Sequence, residues 1–193
     1  MSIRDYEKLT AEPWLNLFRI TFGDQEGKNR SWQMASRADI PKCINGKFAR
    51  PDAVVIAAFH SDTKKMVVCR EYRVALADFE YGFPAGLIDE GETIEDATRR
   101  ELMEETGLTL TRMVDVSPIL YSSAGMTDES VAMVCVTCRG EPSTAGNQGG
   151  EQIEVILASA QEVGRLCREP GLKFDAKAWL VLSRFAATGR LAI

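Results

Sequence analysis

Apolar residues along this chain change their spacing several times, and each change marks an element. AVVIAAFH, Ala53 to His60, is apolar almost throughout, and MVVCREYRV, from Met66, is apolar in its first half. Short continuous apolar runs bounded by turn residues predict strands buried on both faces, and the polar SDTKK between them predicts the turn. Upstream, WLNLFRITF and RSWQMASR flank GDQEGKN, the arrangement of a β-hairpin. Downstream, further strands are expected around Ser117–Tyr121, Val131–Thr137 and Ile153–Leu157, with the Gly-rich polar loop EPSTAGNQGGEQ between the last two.

Helices announce themselves by their caps. Thr93 with Asp96 three residues on forms a capping box, and Gly107 suits the left-handed position after a helix, so a helix is predicted from Ile94 to Glu105 or Thr106. Ser159 with Glu162 opens a second helix to about Arg168, broken by Pro170 and Gly171. DAKAWLVLSRFAAT predicts a last helix, with Trp179, Leu182 and Phe185 as core. Strands interleaved with and followed by helices predict a mixed α/β sandwich. Residues 1–50 read as an extension of short strands and residues 51–193 as the main domain.

Composition narrows the partners. A chain of 193 residues suits one domain with a modest extension. The net charge of -5 is spread along the chain without a basic stripe, which argues against a nucleic-acid partner. MSIRDYEKLT has charges where a secretory leader has an apolar run, and no window approaches the ~18 apolar residues of a membrane span, so neither is expected. Five irregularly spaced cysteines predict no disulfide framework and a reducing cytoplasm. Cys135 and Cys138 form a CxxC on a predicted strand, where residues three apart point to opposite faces, so they read as separate thiols rather than a metal pair. His60, the one histidine, precedes a turn and is given no role.

The chemistry concentrates on the helix from Ile94. At about 100° per residue, Glu101 and Glu105 stack on one face and Glu104 lies one step around. Ile94, Ala97 and Thr98 share that side, while Asp96, Arg99 and Arg100 lie opposite. A solvated face of charge pairs is the plain alternative, and it fits poorly. Glu101 meets Glu105 four residues on, a like-charge pair, and the acids crowd the C-terminal end, where the helix dipole disfavours them. Clustered carboxylates without a nearby His or Cys suit a hard cation, Mg²⁺ or Mn²⁺.

The stretch GLIDEGETIEDATRRELMEETGL, Gly86 to Leu108, resembles the Nudix box, with Gly86, Glu92 and the run Arg100-Glu101-Leu102-Met103-Glu104-Glu105-Thr106-Gly107-Leu108 in place. The resemblance implies an α/β/α sandwich with a mixed sheet, here preceded by an N-terminal antiparallel strand extension. It implies hydrolysis of a nucleoside diphosphate linked to another group. It also implies Glu101 and Glu105 as metal ligands, Glu104 assisting, the Ala85 carbonyl as a further oxygen, and Glu92 and Arg100 bracing the loop.

FPAGLIDEGE and the N-terminal strands resemble the ADP-ribose pyrophosphatase group within that family. That similarity implies a homodimer, an adenine stacked on Trp14 and Trp32, a diphosphate near Arg37 and Arg73, and Glu151 as the base that activates water. Core packing is the alternative for the tryptophans, and a surface charge for the arginines and Glu151. Glu154 is a neighbouring acid, and Glu129 a further possible ligand. Two departures bear on substrate choice: Ala124 stands where that group carries proline, and Gly82 where it often carries an acid. The expected reaction gives AMP and a sugar phosphate from ADP-ribose or a related ADP-sugar. The alternatives are GDP-mannose, UDP-glucose, a dinucleotide such as NADH, or a nucleotide sensor without turnover.

Overall fold

A computed structural model of the chain describes residues 1–146, 150 and 152–191. Its elements in chain order are β1 (Ser2–Lys8), β2 (Asn16–Gly23), β3 (Asn29–Ser36), α1 (Lys42–Asn45), β4 (Ala53–His60), β5 (Lys65–Arg73), β6 (Asp78–Gly82), β7 (Ala85–Leu87), α2 (Ile94–Thr106), β8 (Thr109–Val116), β9 (Leu120–Tyr121), β10 (Ser130–Arg139), β11 (Ile153–Ala158), α3 (Ala160–Leu166), β12 (Lys173–Phe174) and α4 (Ala176–Thr188). The chain forms two units, one of Met1–Asp52 with Ile119–Val131, the other of Ala53–Pro118 with Ala132–Ile193. The segment Ile119–Val131 thus joins the N-terminal strands, which a single division at residue 50 does not express.

The first unit is an antiparallel sheet in the order β1-β2-β3. The expected hairpin is β2–β3, in register from Asn16–Ser36 to Gly23–Asn29. Asn16, Phe18 and Ile20 on β2 are buried, while Leu17 and Arg19 between them are exposed, the alternation of a strand with one covered face. The strand β1, with four charges in seven residues, carries little apolar signal and is held by pairing to β2, with an irregularity between Ile3 and Asp5.

In the second unit the sheet runs β12-β6-β5-β4-β10-β8, with β7 paired to β4 and β11 to β5. It is mixed, since β12 runs parallel to β6 while β5 is antiparallel to β4, β6 and β11. Val54, Ile56 and Ala58 of β4 are fully buried in one cluster with Ala97 and Leu102 of α2 and with Leu108 and Leu110. Alternate side chains of a strand turn to the other face, where Phe59 meets Phe185 of α4 edge to face, 6.1 Å between centroids. Helices therefore cover both faces, and the α/β/α sandwich is the observed fold.

Three expectations need correction. Trp179 is 43% exposed, because the buried stripe of α4 is Ala178, Val181, Leu182 and Phe185, one helical step away. The strand expected at Ser117–Tyr121 reduces to β9, because Pro118 has no N–H to give a ladder, and the longer strand is β8 just before it. Arg100, set opposite the acids in the sequence reading, stands one turn before Glu104, about 40° around the helix, and bonds both Glu101 and Glu104, as described below.

Candidate active site

The helix α2 begins and ends as its sequence dictates. Thr93 Oγ1 accepts from the Asp96 N–H at 3.1 Å while the Asp96 carboxylate accepts from the Thr93 N–H, and Gly107 closes the helix at φ 69° with its N–H on the Met103 carbonyl. A side chain at Gly107 would also press on the backbone of Ser143, whose N–H donates to the Thr106 carbonyl at 2.8 Å. These contacts fix the end of α2 that carries Glu101, Glu104 and Glu105.

Facing that end is β7, whose Gly86 pairs with Val54. The Glu101 carboxylate lies directly over Gly86, so close that a Cβ there would overlap all three of its carboxyl atoms. The Glu105 carboxylate accepts from the Ala85 N–H at 3.1 Å. Ala85, Gly86, Leu87, Arg100, Glu101, Glu104, Glu105 and Gly146 line one cleft of about 260 Å³. The sequence reading missed Gly146. A Cβ on it would lie 2.8 Å from the Glu104 carbonyl oxygen, and nothing in a polar loop signals so close an approach.

Arg100 organises the acids. Its Nε and Nη2 donate to both oxygens of Glu92 at 2.9 and 2.8 Å, its Nη1 donates to Glu101 at 2.6 Å and reaches Glu104 at 3.4 Å, and Nη2 also donates to the Leu87 carbonyl at 2.9 Å. The bonds to Glu92 come first in raising its pKa above the usual arginine value, with Glu101 adding to them. Glu92 accepts in addition from the Asp89 N–H at 2.9 Å, so one guanidinium fork ties the loop before α2 to the acids at its end. The bracing pair expected from the sequence is thus formed. The side chain of Glu101 is 12% exposed and that of Glu104 47%, so Glu104 is the acid most open to solvent.

The donor chemistry fits a hard divalent cation. Carboxylate oxygens and a backbone strand meet in one cleft, without sulfur or imidazole. Among the described residues no three acidic, thiol or imidazole groups converge on a single point: Glu101 and Glu104 turn to Arg100 and Glu105 to the Ala85 N–H. Behind the site lies Cys69, whose thiol is pushed well above its usual pKa by burial and then by the Glu105 charge. Cys135 and Cys138 are buried too, their pKa values raised by burial to about 11 and about 12, which keeps them as neutral core thiols.

The other sequence candidates fall in different places. Arg73, at the end of β5, bonds Glu71 at 2.7 Å and Glu80 at 3.4 Å and does not line the cleft. Glu154 pairs with Arg70 at 3.3 Å. Glu151 lies outside the described residues. In the first unit Trp14 and Trp32 are 79% and 52% exposed, which removes core packing as the account of either ring. The Trp32 Nε1–H donates to the Gly125 carbonyl at 3.2 Å, and Arg37 pairs with Glu129 at 3.0 Å. His60 is a structural residue: its Nδ1 accepts from the Thr63 N–H at 3.3 Å, and its Nε2 lies 2.8 Å from the Gly140 carbonyl. Gly82 pairs with Cys69, and a Cβ there would find only that of Asp175, at 3.9 Å.

A helix end whose acids are gathered under an arginine fork, on an α/β/α sandwich, marks the second unit as an enzyme, a hydrolase by its relatives. The NUDIX domain model matches residues 49–180, and the chain belongs to the Nudix hydrolase family. An uncharacterized Nudix hydrolase of Schizosaccharomyces pombe is 33% identical over 183 residues, 90% of this chain and 84% of its own length. The ADP-sugar pyrophosphatase of Mus musculus is 29% identical over 188 residues, 90% of this chain and 82% of its own length. Among solved structures, an ADP compounds hydrolase shares the fold at a TM-score of 0.68 and 20% identity, covering 95% of this chain and 91% of that one. The chain is therefore a Nudix hydrolase related to the ADP-ribose and ADP-sugar pyrophosphatases.

Proposed function

We propose that this enzyme hydrolyses the diphosphate of ADP-ribose or a related ADP-sugar, giving AMP and a sugar phosphate, in a reaction that depends on Mg²⁺ or Mn²⁺. The observation that carries the reading is the cleft in which Glu101, Glu104 and Glu105 face Ala85 and Gly86. Glu101 and Glu105, with Glu104 and the Ala85 carbonyl, would hold the ion. When bound, it supplies positive charge for the diphosphate and for the charge that develops on cleavage. Arg100 and Glu92 keep the carboxylates in place. Glu151 takes the proton of the attacking water, the P–O–P bridge breaks, and the other phosphate leaves with the bridging oxygen. Trp14 and Trp32 offer exposed ring faces for an adenine, and Arg37 and Arg73 offer guanidinium forks for phosphate oxygens.

The test is AMP release from ADP-ribose with Mg²⁺, run beside GDP-mannose, UDP-glucose and NADH. Adenine substrates are expected to lead, and Glu151→Gln to lower kcat by roughly 10²–10⁴. A preference for GDP-mannose or UDP-glucose would overturn the adenine reading, and binding without turnover would favour a sensor. A homodimer in a reducing cytoplasm completes the proposal. Its support is the first unit's apolar groove of about 420 Å³, lined by residues including Met1, Ile3, Phe22, Trp32 and Met34, with Met1 and Ile3 themselves exposed. Sedimentation is expected to give twice the 21.3 kDa chain mass, and a monomer at micromolar concentration would remove the dimer.

A further inference from the structure

Lys42 is a buried cation that the proposed chemistry does not use. It is 7% exposed, and its Nζ donates to Asp52 Oδ2 at 2.6 Å and to Ser130 Oγ at 2.8 Å. Asp52 Oδ2 also accepts from the Ser130 N–H and hydroxyl at 2.8 and 2.9 Å, and the Asp52 N–H donates to the Ser130 carbonyl at 2.9 Å. The backbone N–H of Lys42 donates to Asp128 Oδ2 at 2.8 Å, and the same oxygen accepts from Ser36 Oγ at 3.1 Å. One residue thus fastens the end of the loop that joins β9 to β10.

That loop lies along the free edge of β3. Ala35 donates its N–H to the Met126 carbonyl at 2.8 Å and forms a parallel bridge with Thr127. Next along the strand come the Trp32 indole on Gly125 and the Arg37 guanidinium on Glu129. Residues 121–126 are exposed, Met126 at 71%, so apolar burial does not set the loop's position. Polar contacts do, and at the loop's root they are those of Lys42, Asp52, Asp128 and Ser130. A buried charge whose partners all converge on it specifies one arrangement, because any other leaves a desolvated charge unpaired.

We propose that Lys42 is a positioning residue for substrate. Its ammonium fixes Ser130, where the 122–129 loop enters β10, while its N–H holds Asp128, and the loop in turn holds the Trp32 ring and the Arg37 fork in their binding orientations. The inference rests on the adenine and diphosphate roles proposed for those two side chains. It also gives Ala124 a place: the departure from proline falls within the loop that holds Trp32 and Arg37.

The experiment compares wild type with Lys42→Met and with Lys42→Met/Asp52→Asn, the second removing the unpaired carboxylate so that folding is retained. Amide hydrogen exchange is followed over residues 119–131, with KM and kcat for ADP-ribose and a melting curve alongside. In both variants, loop exchange and KM are each expected to rise roughly tenfold while kcat changes less than about twofold. Unchanged exchange would overturn the pinning. Faster exchange with unchanged KM would overturn the link to substrate, and a loss confined to kcat in proportion to the folded fraction would make Lys42 merely structural. A wild type that neither binds nor cleaves ADP-ribose would instead count against the proposed function and overturn the link to that substrate, and the exchange result alone would then decide the pinning.

Discussion

Glu101→Gln is expected to lower kcat by roughly 10²–10³ at saturating Mg²⁺, while leaving stability within about 1 kcal/mol of wild type. The two halves of that expectation have separate causes. The Glu101 carboxylate sits over Gly86 in the acid cleft, and an amide of the same shape binds a hard cation far less well. Stability barely moves because opposing effects nearly offset. The amide oxygen still accepts from Arg100, though without charge assistance, and the substitution relieves repulsion from Glu105 and from the negative end of the helix dipole. Turnover with ADP-ribose and a urea melt, on the same preparation, read both quantities. Full activity would take Glu101 out of the site, and a loss matched by several kcal/mol of destabilisation would make it a folding residue.

Gly86→Ala, a single added methyl, is expected to reduce kcat by a similar roughly 10²-fold or more and to destabilise the fold by about 1–3 kcal/mol. The new Cβ falls on the Glu101 carboxylate, which Arg100 Nη1 holds at 2.6 Å through the very oxygen the Cβ would strike. Either the carboxylate leaves the cleft, or β7 lifts from its pairing with Val54 and Val55. The cause can be isolated by a cycle with Glu101→Ala, which removes the group struck. In that background Gly86→Ala is expected to cost little stability, and a full undiminished cost would show that the strain lies elsewhere.

Local chemistry made α2 legible. The Thr93–Asp96 box, the left-handed Gly107 and the spacing of the acids are sequence features, and each has its structural counterpart. The buried strands β4 and β10 were legible for the same reason, since continuous apolar runs leave few other structures. What escaped depends on distant partners. The strand β1 is mostly polar and exists because β2 offers it an edge. Arg100, put opposite the acids, lies one turn before Glu104 and so beside it, and its hold on Glu92 and the Leu87 carbonyl depends on how the loop before α2 folds back. Lys42 reads as an ordinary surface lysine until Asp52 and Ser130, one 10 and the other 88 residues away, are brought to it.

Two glycines four residues apart have opposite histories open to them. At Gly86 the space for a side chain is already filled by the Glu101 carboxylate, so fold and proposed chemistry are bound to one residue type and variation there is closed. At Gly82, on β6, the strand before β7 in the chain, a Cβ meets only one atom at ordinary contact distance. A descendant could gain a carboxylate there in one substitution without rebuilding the sheet. The acid cleft would be inherited unchanged while the surface around Gly82 drifts, which is one way a single scaffold can diversify by small steps.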